Sequence, residues 1–361
     1  MVCLLLLLGL VILVAGAELL VRGAVSLAEL ARISPLVIGL TVVAFGTSAP
    51  ELAVSSISSL KGDSAIALGN VVGSNIFNVL LILGISALIV PLSVSSQLVK
   101  VDVPIMVATS IGVGFAALGG SISRIEGAAM LLCFVIYTAW LLRAGREESE
   151  LASNGHQTES ESKLVTTKPA AIQIFGNVGL LLSGLALLVL GARLLVDSAT
   201  TIARDFGVSD LIIGLTIVAA GTSLPELATS IVAAIKGQRD IAVGNVVGSN
   251  VFNLLVVLST ASVLVDSGVP VPQEVFSFDL AFMVGVAILC WPIFVSNAVV
   301  SRWEGLLMLA LYVAYTGLLV ADAMQIPWVA SGKLVLAFGA MPVAVVACSA
   351  ITWTQRSRTS V

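Results

Sequence analysis

Long apolar stretches alternate with short polar segments along almost the whole chain. A stretch of about 20 apolar residues, wound as a helix, is long enough to cross the hydrocarbon core of a membrane. Eleven stretches come close to that length, so the pattern predicts eleven transmembrane helices. They cover residues 3–20, 35–59, 65–90, 103–120, 125–142, 174–195, 209–234, 240–265, 277–296, 303–322 and 333–353.

The composition agrees with a membrane protein. Hydrophobic residues make up 58% of the 361 residues and charged residues only 11%, whereas charged residues are about a quarter of a soluble domain. We therefore predict an all-α polytopic protein whose main partner is the lipid bilayer. A formal net charge of -4 gives no reason to expect a nucleic acid partner.

Residues typical of enzymatic or redox centres are scarce. His156 is the only histidine, which excludes any centre that needs two histidines. The four cysteines stand singly within apolar runs, where packing is their usual role. The sequence predicts no enzyme and no resident cofactor. No Lys or Arg precedes the first apolar run, which favours a retained helix over a signal peptide.

Two halves of the chain repeat each other. Gly39–Gly84 aligns without a gap on Gly214–Ser259 at an offset of 175, with 28 identities in 46 positions. Ser123–Gly127 matches Ser301–Gly305 at an offset of 178, so each repeat holds five helices. Because five is odd, the second repeat must enter the membrane from the opposite side. This predicts an inverted-topology pair with a binding site between the repeats near the midplane.

The repeats divide the chain into four regions. We assign residues 1–142 to the first half, 143–170 to a polar linker, 171–325 to the second half, and 326–361 to an extra helix and a basic tail. The linker is rich in Glu, Ser and Thr and is predicted to be exposed.

The Lys and Arg residues predict the orientation. With the N-terminus outside, 12 of these residues lie on the inner side and 5 on the outer side. This distribution favours an outer N-terminus and a cytoplasmic central loop in a cell membrane. Two pairs spaced four residues apart, Glu18 with Arg22 and Arg193 with Asp197, are expected to form interfacial ion pairs.

Each repeat carries two polar clusters inside apolar helices. Gly-Thr-Ser-x-Pro-Glu occupies residues 46–51 and 221–226, and Gly-Ser-Asn-x-Phe-Asn occupies residues 73–78 and 248–253. The prolines, Pro50 and Pro225, cannot donate a backbone hydrogen bond, which frees carbonyls near Ala44 and Ala219. Helical spacing predicts that polar side chains share a face with each glutamate or asparagine. These are Thr47, Ser48 and Glu51, Ser74 and Asn78, and their equivalents Thr222, Ser223, Glu226, Ser249 and Asn253.

Two intramembrane carboxylates call for a cation. Each charged glutamate costs about 2.5–3.5 kcal/mol at the bilayer centre, and neither cluster contains a Lys or Arg. Every available ligand is an oxygen, and Ca²⁺ takes about 6–8 oxygens. Glu51 and Glu226 offer up to four, and Asn78, Asn253 or freed backbone carbonyls can supply the rest. Hydroxyls and carbonyls also suit Na⁺.

Small and hydroxylated residues near the clusters have structural interpretations. The Gly-x-x-x-Gly spacing favours helix packing for Gly69 and Gly73 and for Gly244 and Gly248. Serines such as Ser55 and Ser230 are expected to hydrogen bond to their own helix backbone.

On these motifs the chain resembles the calcium/cation antiporter superfamily, and within it the prokaryotic-type sodium/calcium exchangers. The resemblance implies calcium ligation by Glu51 and Glu226 and alternating access by movement of the first helix of each half. It also implies sodium ligands, which are Thr47, Ser48, Ser74, Thr222, Ser223 and Ser249, with backbone carbonyls of Ala44 and Ala219. Some relatives carry Asp at the position of Asn253, so a third carboxylate is missing here.

The expected function is antiport of Ca²⁺ against Na⁺. An H⁺/Ca²⁺ antiporter that uses the same two glutamates is the main alternative, and a cation channel is a weaker one because paired broken helices do not suit a continuous pore.

Overall fold

A computed structural model gives the fold and describes residues 2–31, 33–155, 170–208, 210–213, 216–217, 219–296 and 298–359. Within these ranges the regular secondary structure is helical apart from two pairs of two-residue strands. Nine of the described helices are long and apolar enough to cross a membrane, or ten if the bent pair near Ser48 forms one span. The predicted all-α polytopic membrane architecture is confirmed.

The helices of the first half are α1 (Val2–Ala31), α2 (Pro35–Thr47), α3 (Ala49–Leu60), α4 (Ser64–Ile89), α5 (Leu98–Gly119) and α6 (Arg124–Gly155). Those of the second half are α7 (Ala170–Asp205), α8 (Asp210–Ile213), α9 (Ala219–Gly221), α10 (Leu224–Ile235), α11 (Arg239–Leu264), α12 (Val275–Val295) and α13 (Arg302–Ala323). The eleventh segment is α14 (Val329–Thr352), and its helix continues to Thr359.

Three predicted segments need correction. The segment at 35–59 is not one helix, because α2 and α3 meet at Ser48 at an angle of 44°. The segment at 209–234 is divided into α8, α9 and α10, with residues 214, 215 and 218 outside the described ranges. The linker predicted to start at residue 143 is helical up to Gly155, since Ala, Arg, Glu and Leu are good helix formers beyond the membrane edge as well. Residues 156–169 lie outside the described part of the chain.

The equivalent helices α1 and α7 lie antiparallel and in close contact along a glycine seam. A Cβ placed on Gly9 would lie 3.1 Å from the carbonyl oxygen of Gly191, and one on Gly16 would lie 2.8 Å from that of Gly184. Gly23 faces Asn177 in the same way. The residue numbers of the contacts therefore rise along α1 and fall along α7, which is the relation that an inverted repeat requires.

The short strands join loops of opposite repeats. β1 (Leu92–Ser93) pairs antiparallel with β4 (Val299–Val300), and β2 (Ser121–Ile122) pairs antiparallel with β3 (Val269–Pro270). An inverted pair of five-helix repeats puts each of these loop pairs on one side of the membrane. The pairing thus agrees with the predicted alternation of spans.

The helices that carry the second polar clusters form the centre of the molecule. In α11, every residue from Ile241 to Leu255 is buried, and most of α4 is buried as well. Helix α14 packs outside them against α12, and Lys333 at its start lies 2.6 Å from Asp322 at the end of α13. The second polar clusters therefore lie on the most deeply buried of the described spans, α4 and α11.

Candidate cation site between the repeats

Glu51 and Glu226 occupy equivalent positions at the start of α3 and α10. In both helices Pro is the second residue and Glu the third, directly after a break in the helix. Pro suits a first turn because the amides there have no partner within the helix, and the positive end of the helix dipole favours a carboxylate. Both glutamates are 0% exposed. Among the described residues no Lys or Arg forms an ion pair with either.

Each glutamate is bound by a serine of the opposite repeat. The Ser48 hydroxyl donates to Glu226 Oε1 at 2.8 Å, and the Ser223 hydroxyl donates to Glu51 Oε1 at 2.9 Å. The local spacing predicted instead that Ser48 would accompany Glu51. In the structure Ser48 lies at the break that ends α2, and its side chain crosses the repeat interface to the other glutamate.

The side-chain amides of Asn70 and Asn245 hold the helices that carry the glutamates. The Asn70 amide nitrogen donates to the Ser55 hydroxyl at 2.9 Å and to the Glu51 backbone carbonyl at 3.3 Å. In the other repeat Asn245 donates to the Ser230 hydroxyl at 3.0 Å and to the Glu226 carbonyl at 3.4 Å. Ser55 and Ser230 therefore accept bonds from side chains rather than serving only their own helix backbone. Local sequence gives no sign of these partners, which lie 15 residues away.

The threonines connect these amides across the interface. Thr47 Oγ1 lies 3.1 Å from Asn245 Oδ1, and Thr222 Oγ1 lies 3.4 Å from Asn70 Oδ1. Thr47 Oγ1 also lies 3.4 Å from the Ala44 carbonyl, which accepts the Ser48 amide at 3.0 Å. The carbonyl of Ala44 is thus engaged rather than free in this conformation. Its equivalent, Ala219, starts α9.

Several buried oxygens of the two clusters have no hydrogen-bond partner among the described residues. They are Glu51 Oε2, Glu226 Oε2, Asn78 Oδ1, Asn253 Oδ1 and Ser249 Oγ. Leaving a buried polar atom unpaired costs about 1–3 kcal/mol. Their grouping is therefore typical of a site that a cation completes. Ser74, the equivalent of Ser249, lies 3.1 Å from the Ser223 hydroxyl.

Asn78 and Asn253 lie where α4 and α11 change to wider π-helical turns, over Phe77–Leu83 and Asn253–Leu258. Such turns are frequent at functional sites. The segment Asn253–Leu258 packs against α3, which carries Glu51, and Phe77–Leu83 packs against α10, which carries Glu226. No three His, Cys, Asp or Glu side chains gather in the described ranges. The polar groups described here are two carboxylates and neutral oxygens.

The glycines of α11 allow close approach of α2. A Cβ on Gly248 would lie 2.6 Å from the Leu40 carbonyl oxygen, and one on Gly244 would lie 3.1 Å from that of Leu36. For Gly69 and Gly73 no described atom lies within 4 Å of such a Cβ. The residues equivalent to Leu36 and Leu40 stand at positions 211 and 215, and 215 falls outside the described ranges.

Access to the site differs between its two sides. A cavity of about 460 Å³ lies between α3 and α7 and reaches Thr222 and Pro225. On the equivalent side α1 packs directly on α10, and Leu20 and Val21 are 0% and 1% exposed, whereas their counterparts in α7 are partly exposed. The two sides of the site therefore differ, with a cavity beside Thr222 and Pro225 on one side and direct packing of α1 on α10 on the other.

An ion pair lies on the side of the site where α1 packs on α10. Lys236, which follows α10, lies 2.9 Å from Glu18 of α1, and Glu18 also pairs with Arg22. No ion pair recorded in the described ranges joins Arg193 to Asp197, so the second predicted interfacial pair is wrong. Arg193 and Asp197 instead line the cavity.

The sequence is similar to a known protein family and to several known membrane proteins. The family model described as "Sodium/calcium exchanger protein" matches residues 1–143 and 176–321. Sodium/calcium exchanger MaX1 of Methanosarcina acetivorans is 33% identical over 343 residues, which span 86% of this chain and 96% of MaX1. Inner membrane protein YrbG of Escherichia coli K12 is 36% identical over 291 residues, covering 80% of this chain and 88% of YrbG.

The fold agrees as well. A structure of the sodium-calcium exchanger NCX_Mj, soaked with Na⁺ and Sr²⁺, has a TM-score of 0.72 and 32% identity and covers 89% of this chain and 97% of its own. The family model leaves out α14, which lies beyond residue 321. Sequence, fold and site thus lead to one assignment: the chain belongs to the sodium/calcium exchanger family, a family of transporters rather than enzymes.

Proposed function

We propose that this membrane protein exchanges Ca²⁺ for Na⁺ by alternating access, with Glu51 and Glu226 as shared cation ligands. The observation that carries the proposal is the two-fold arrangement of buried, unpaired oxygens on these glutamates and on Asn78 and Asn253. The names of MaX1 and NCX_Mj, both sodium/calcium exchangers, support the same pair of ions.

The oxygen set suits calcium. The carboxylates provide four oxygens in all, and the two asparagines and Ser249 add three with no competing partner. Calcium takes about 6–8 oxygens in flexible geometry. Two carboxylates also match its double charge, which offsets the cost of holding both of them ionised at membrane depth.

Sodium would compete for part of the same set. Na⁺ can be bound by neutral oxygen ligands, and the site offers hydroxyls and backbone carbonyls of this kind. They are the hydroxyls of Thr47, Ser48, Ser74, Thr222 and Ser223 and the backbone carbonyls near Ala44 and Ala219. Ser48 and Ser223 each already bond to one glutamate oxygen. Sodium ions on the hydroxyl side would therefore draw on the oxygens that calcium needs, and this competition would couple the two fluxes.

We place the N-terminus outside, because that orientation puts most Lys and Arg on the cytoplasmic side of a cell membrane. The cavity between α3 and α7 then opens outward, and the Glu18 to Lys236 pair closes the cytoplasmic side. The conformation would accordingly be the one that exchanges ions with the outside.

The test is calcium uptake into proteoliposomes that contain the purified protein. An outward sodium gradient is expected to drive calcium uptake, and a pH gradient of equal size without sodium is expected to drive none. Uptake driven by the pH gradient alone would replace this proposal with H⁺/Ca²⁺ antiport. Calcium flux that needs neither gradient would indicate a channel.

Replacing Thr47 with valine is expected to weaken the apparent sodium affinity while calcium binding changes little. The substitution removes one hydroxyl and keeps the shape, and a hydrogen bond contributes about 0.5–1.5 kcal/mol, which corresponds to roughly two- to tenfold in affinity. The sodium dependence of calcium uptake measures this effect. Thr41→Val is the matched control, since that hydroxyl donates only to Val37 of the same helix. An equal effect of both variants would contradict the assignment of Thr47.

A further inference from the structure

Four asparagines form a closed hydrogen-bond network between the repeats. We call Asn75 and Asn250 the inner members, because each bonds to the backbone of the other, and Asn78 and Asn253 the outer members, because they bond to the side chains of the inner ones. Asn78 donates its amide nitrogen to Asn250 Oδ1 at 3.0 Å, and Asn253 donates to Asn75 Oδ1 at 3.1 Å. The exposed fraction of these side chains is 0–2%, so no solvent competes for the bonds.

Backbone carbonyls fix the orientation of the inner amides. Asn75 Nδ2 lies 3.4 Å from the carbonyl oxygen of Asn250, and Asn250 Nδ2 lies 3.3 Å from that of Asn75. A backbone carbonyl can only accept, so the nitrogen and not the oxygen of each amide must face it. The same nitrogens face the sulfurs of Met283 and Met106, which are weak acceptors. Reversing either amide would bring oxygen against oxygen.

The fixed inner amides dictate the outer ones. Asn75 Oδ1 points to Asn253 and can be satisfied only by a donor, so Asn253 must present its nitrogen there. Its own Oδ1 then lies on the other side of the amide and has no hydrogen-bond partner. Asn250 acts in the same way on Asn78, whose Oδ1 is also unpaired. Each outer asparagine is thus oriented by a residue of the opposite repeat.

We propose that Asn75 and Asn250 are positioning residues that turn the side-chain oxygens of Asn253 and Asn78 towards the transported cation. This inference rests on the proposed function, because it takes Asn78 and Asn253 as cation ligands. The segments that carry them pack against the helices of Glu51 and Glu226. A reversed outer amide would direct two N–H donors at a cation, which repels them.

The test uses calcium as the only probe, in a thermal-shift titration of the purified protein in detergent. Asn75→Leu keeps the size of the side chain and removes the acceptor that holds Asn253. Loss of an outer-shell partner costs about 10–100-fold in metal affinity, and we expect a loss in that range. Asn75→Ser, whose hydroxyl is too short to reach Asn253, gives a second variant if the leucine protein does not fold.

A paired substitution separates positioning from a structural role. A carboxylate presents an oxygen in either orientation, so adding Asn253→Asp to Asn75→Leu is expected to restore most of the calcium affinity. Adding Asn78→Asp to Asn75→Leu is the matched control and should restore none, since Asn78 is held by Asn250. The mirror set, Asn250→Leu with Asn78→Asp or with Asn253→Asp, should give the reverse pattern.

The outcomes are distinct from those of the transport assay. Unchanged calcium affinity in Asn75→Leu, or restoration by both aspartates or by neither, would overturn the positioning role even if sodium-driven uptake is intact. Calcium binding with the paired pattern but without sodium-driven uptake would overturn the exchange function and leave the positioning role in place. A wild-type protein that binds no calcium would overturn both.

Discussion

Replacing Glu226 with glutamine is expected to reduce calcium exchange by at least about a hundredfold. The substitution keeps the shape and the oxygen that accepts from Ser48 but removes a charge, and compensating a charge at membrane depth involves about 2.5–3.5 kcal/mol, or about two powers of ten or more. Because the site is two-fold symmetric, Glu51→Gln should give a similar loss. Sodium-driven calcium uptake in proteoliposomes measures both.

The matched control for these variants is Glu126→Gln. Glu126 accepts bonds from the backbone amide and the hydroxyl of Ser123 at the start of α6, away from the site, and its substitution should leave exchange intact. Near-normal exchange in both site variants would refute the role of the carboxylates. A loss in the Glu126 variant as well would point to a general effect on folding.

Replacing Gly184 with alanine is expected to destabilise the protein, whereas the same change at Gly176 should not. A Cβ at Gly184 would lie 2.5 Å from the backbone nitrogen of Leu20 and 2.8 Å from the carbonyl oxygen of Gly16, so α1 and α7 would have to separate. Overpacking of this kind costs about 1–3 kcal/mol. At Gly176 no described atom lies within 4 Å of the new methyl group.

Both substitutions lie in α7 and gain the same intrinsic helix propensity, about 1 kcal/mol, so the comparison isolates the contact. The thermal midpoint in detergent is the measurement, and only the Gly184 variant should unfold at a lower temperature than the wild type. Equal midpoints for the two variants would show that α1 and α7 do not form the glycine seam.

The sequence predicted the fold well because membrane spans and repeats extend over many consecutive residues and can be recognised without knowledge of tertiary contacts. The 175-residue offset and the odd number of spans led to the inverted pair, and the antiparallel contact of Gly16 with Gly184 agrees with it. Local end points were less predictable. Helix α6 continues past the membrane edge to Gly155 because its composition favours helix regardless of the bilayer.

The residue types of the candidate site were also visible in the sequence, but their partners were not. Helical spacing joins Ser48 to Glu51, whereas the break after Thr47 sends the Ser48 hydroxyl to Glu226. The π-helical turns at Asn78 and Asn253 were not predicted, since the sequence shows only a run of apolar residues after each asparagine. Asn75 and Asn250 repeat in both motifs, and that repetition was the only signal of their importance.

The charges along α1 and α7 do not follow the symmetry of the site. Glu18 corresponds to Arg193, Arg22 to Asp197 and Lys236 to Lys61, so the ion pair of Glu18 with Lys236 has no equivalent between the corresponding residues. A half-exposed ion pair contributes about 0.2–1 kcal/mol, which corresponds to a population ratio of at most about five. If the protein alternates as proposed, we expect this ion pair to favour the observed conformation over its mirror by a small factor, so that the two half-cycles of transport differ in rate.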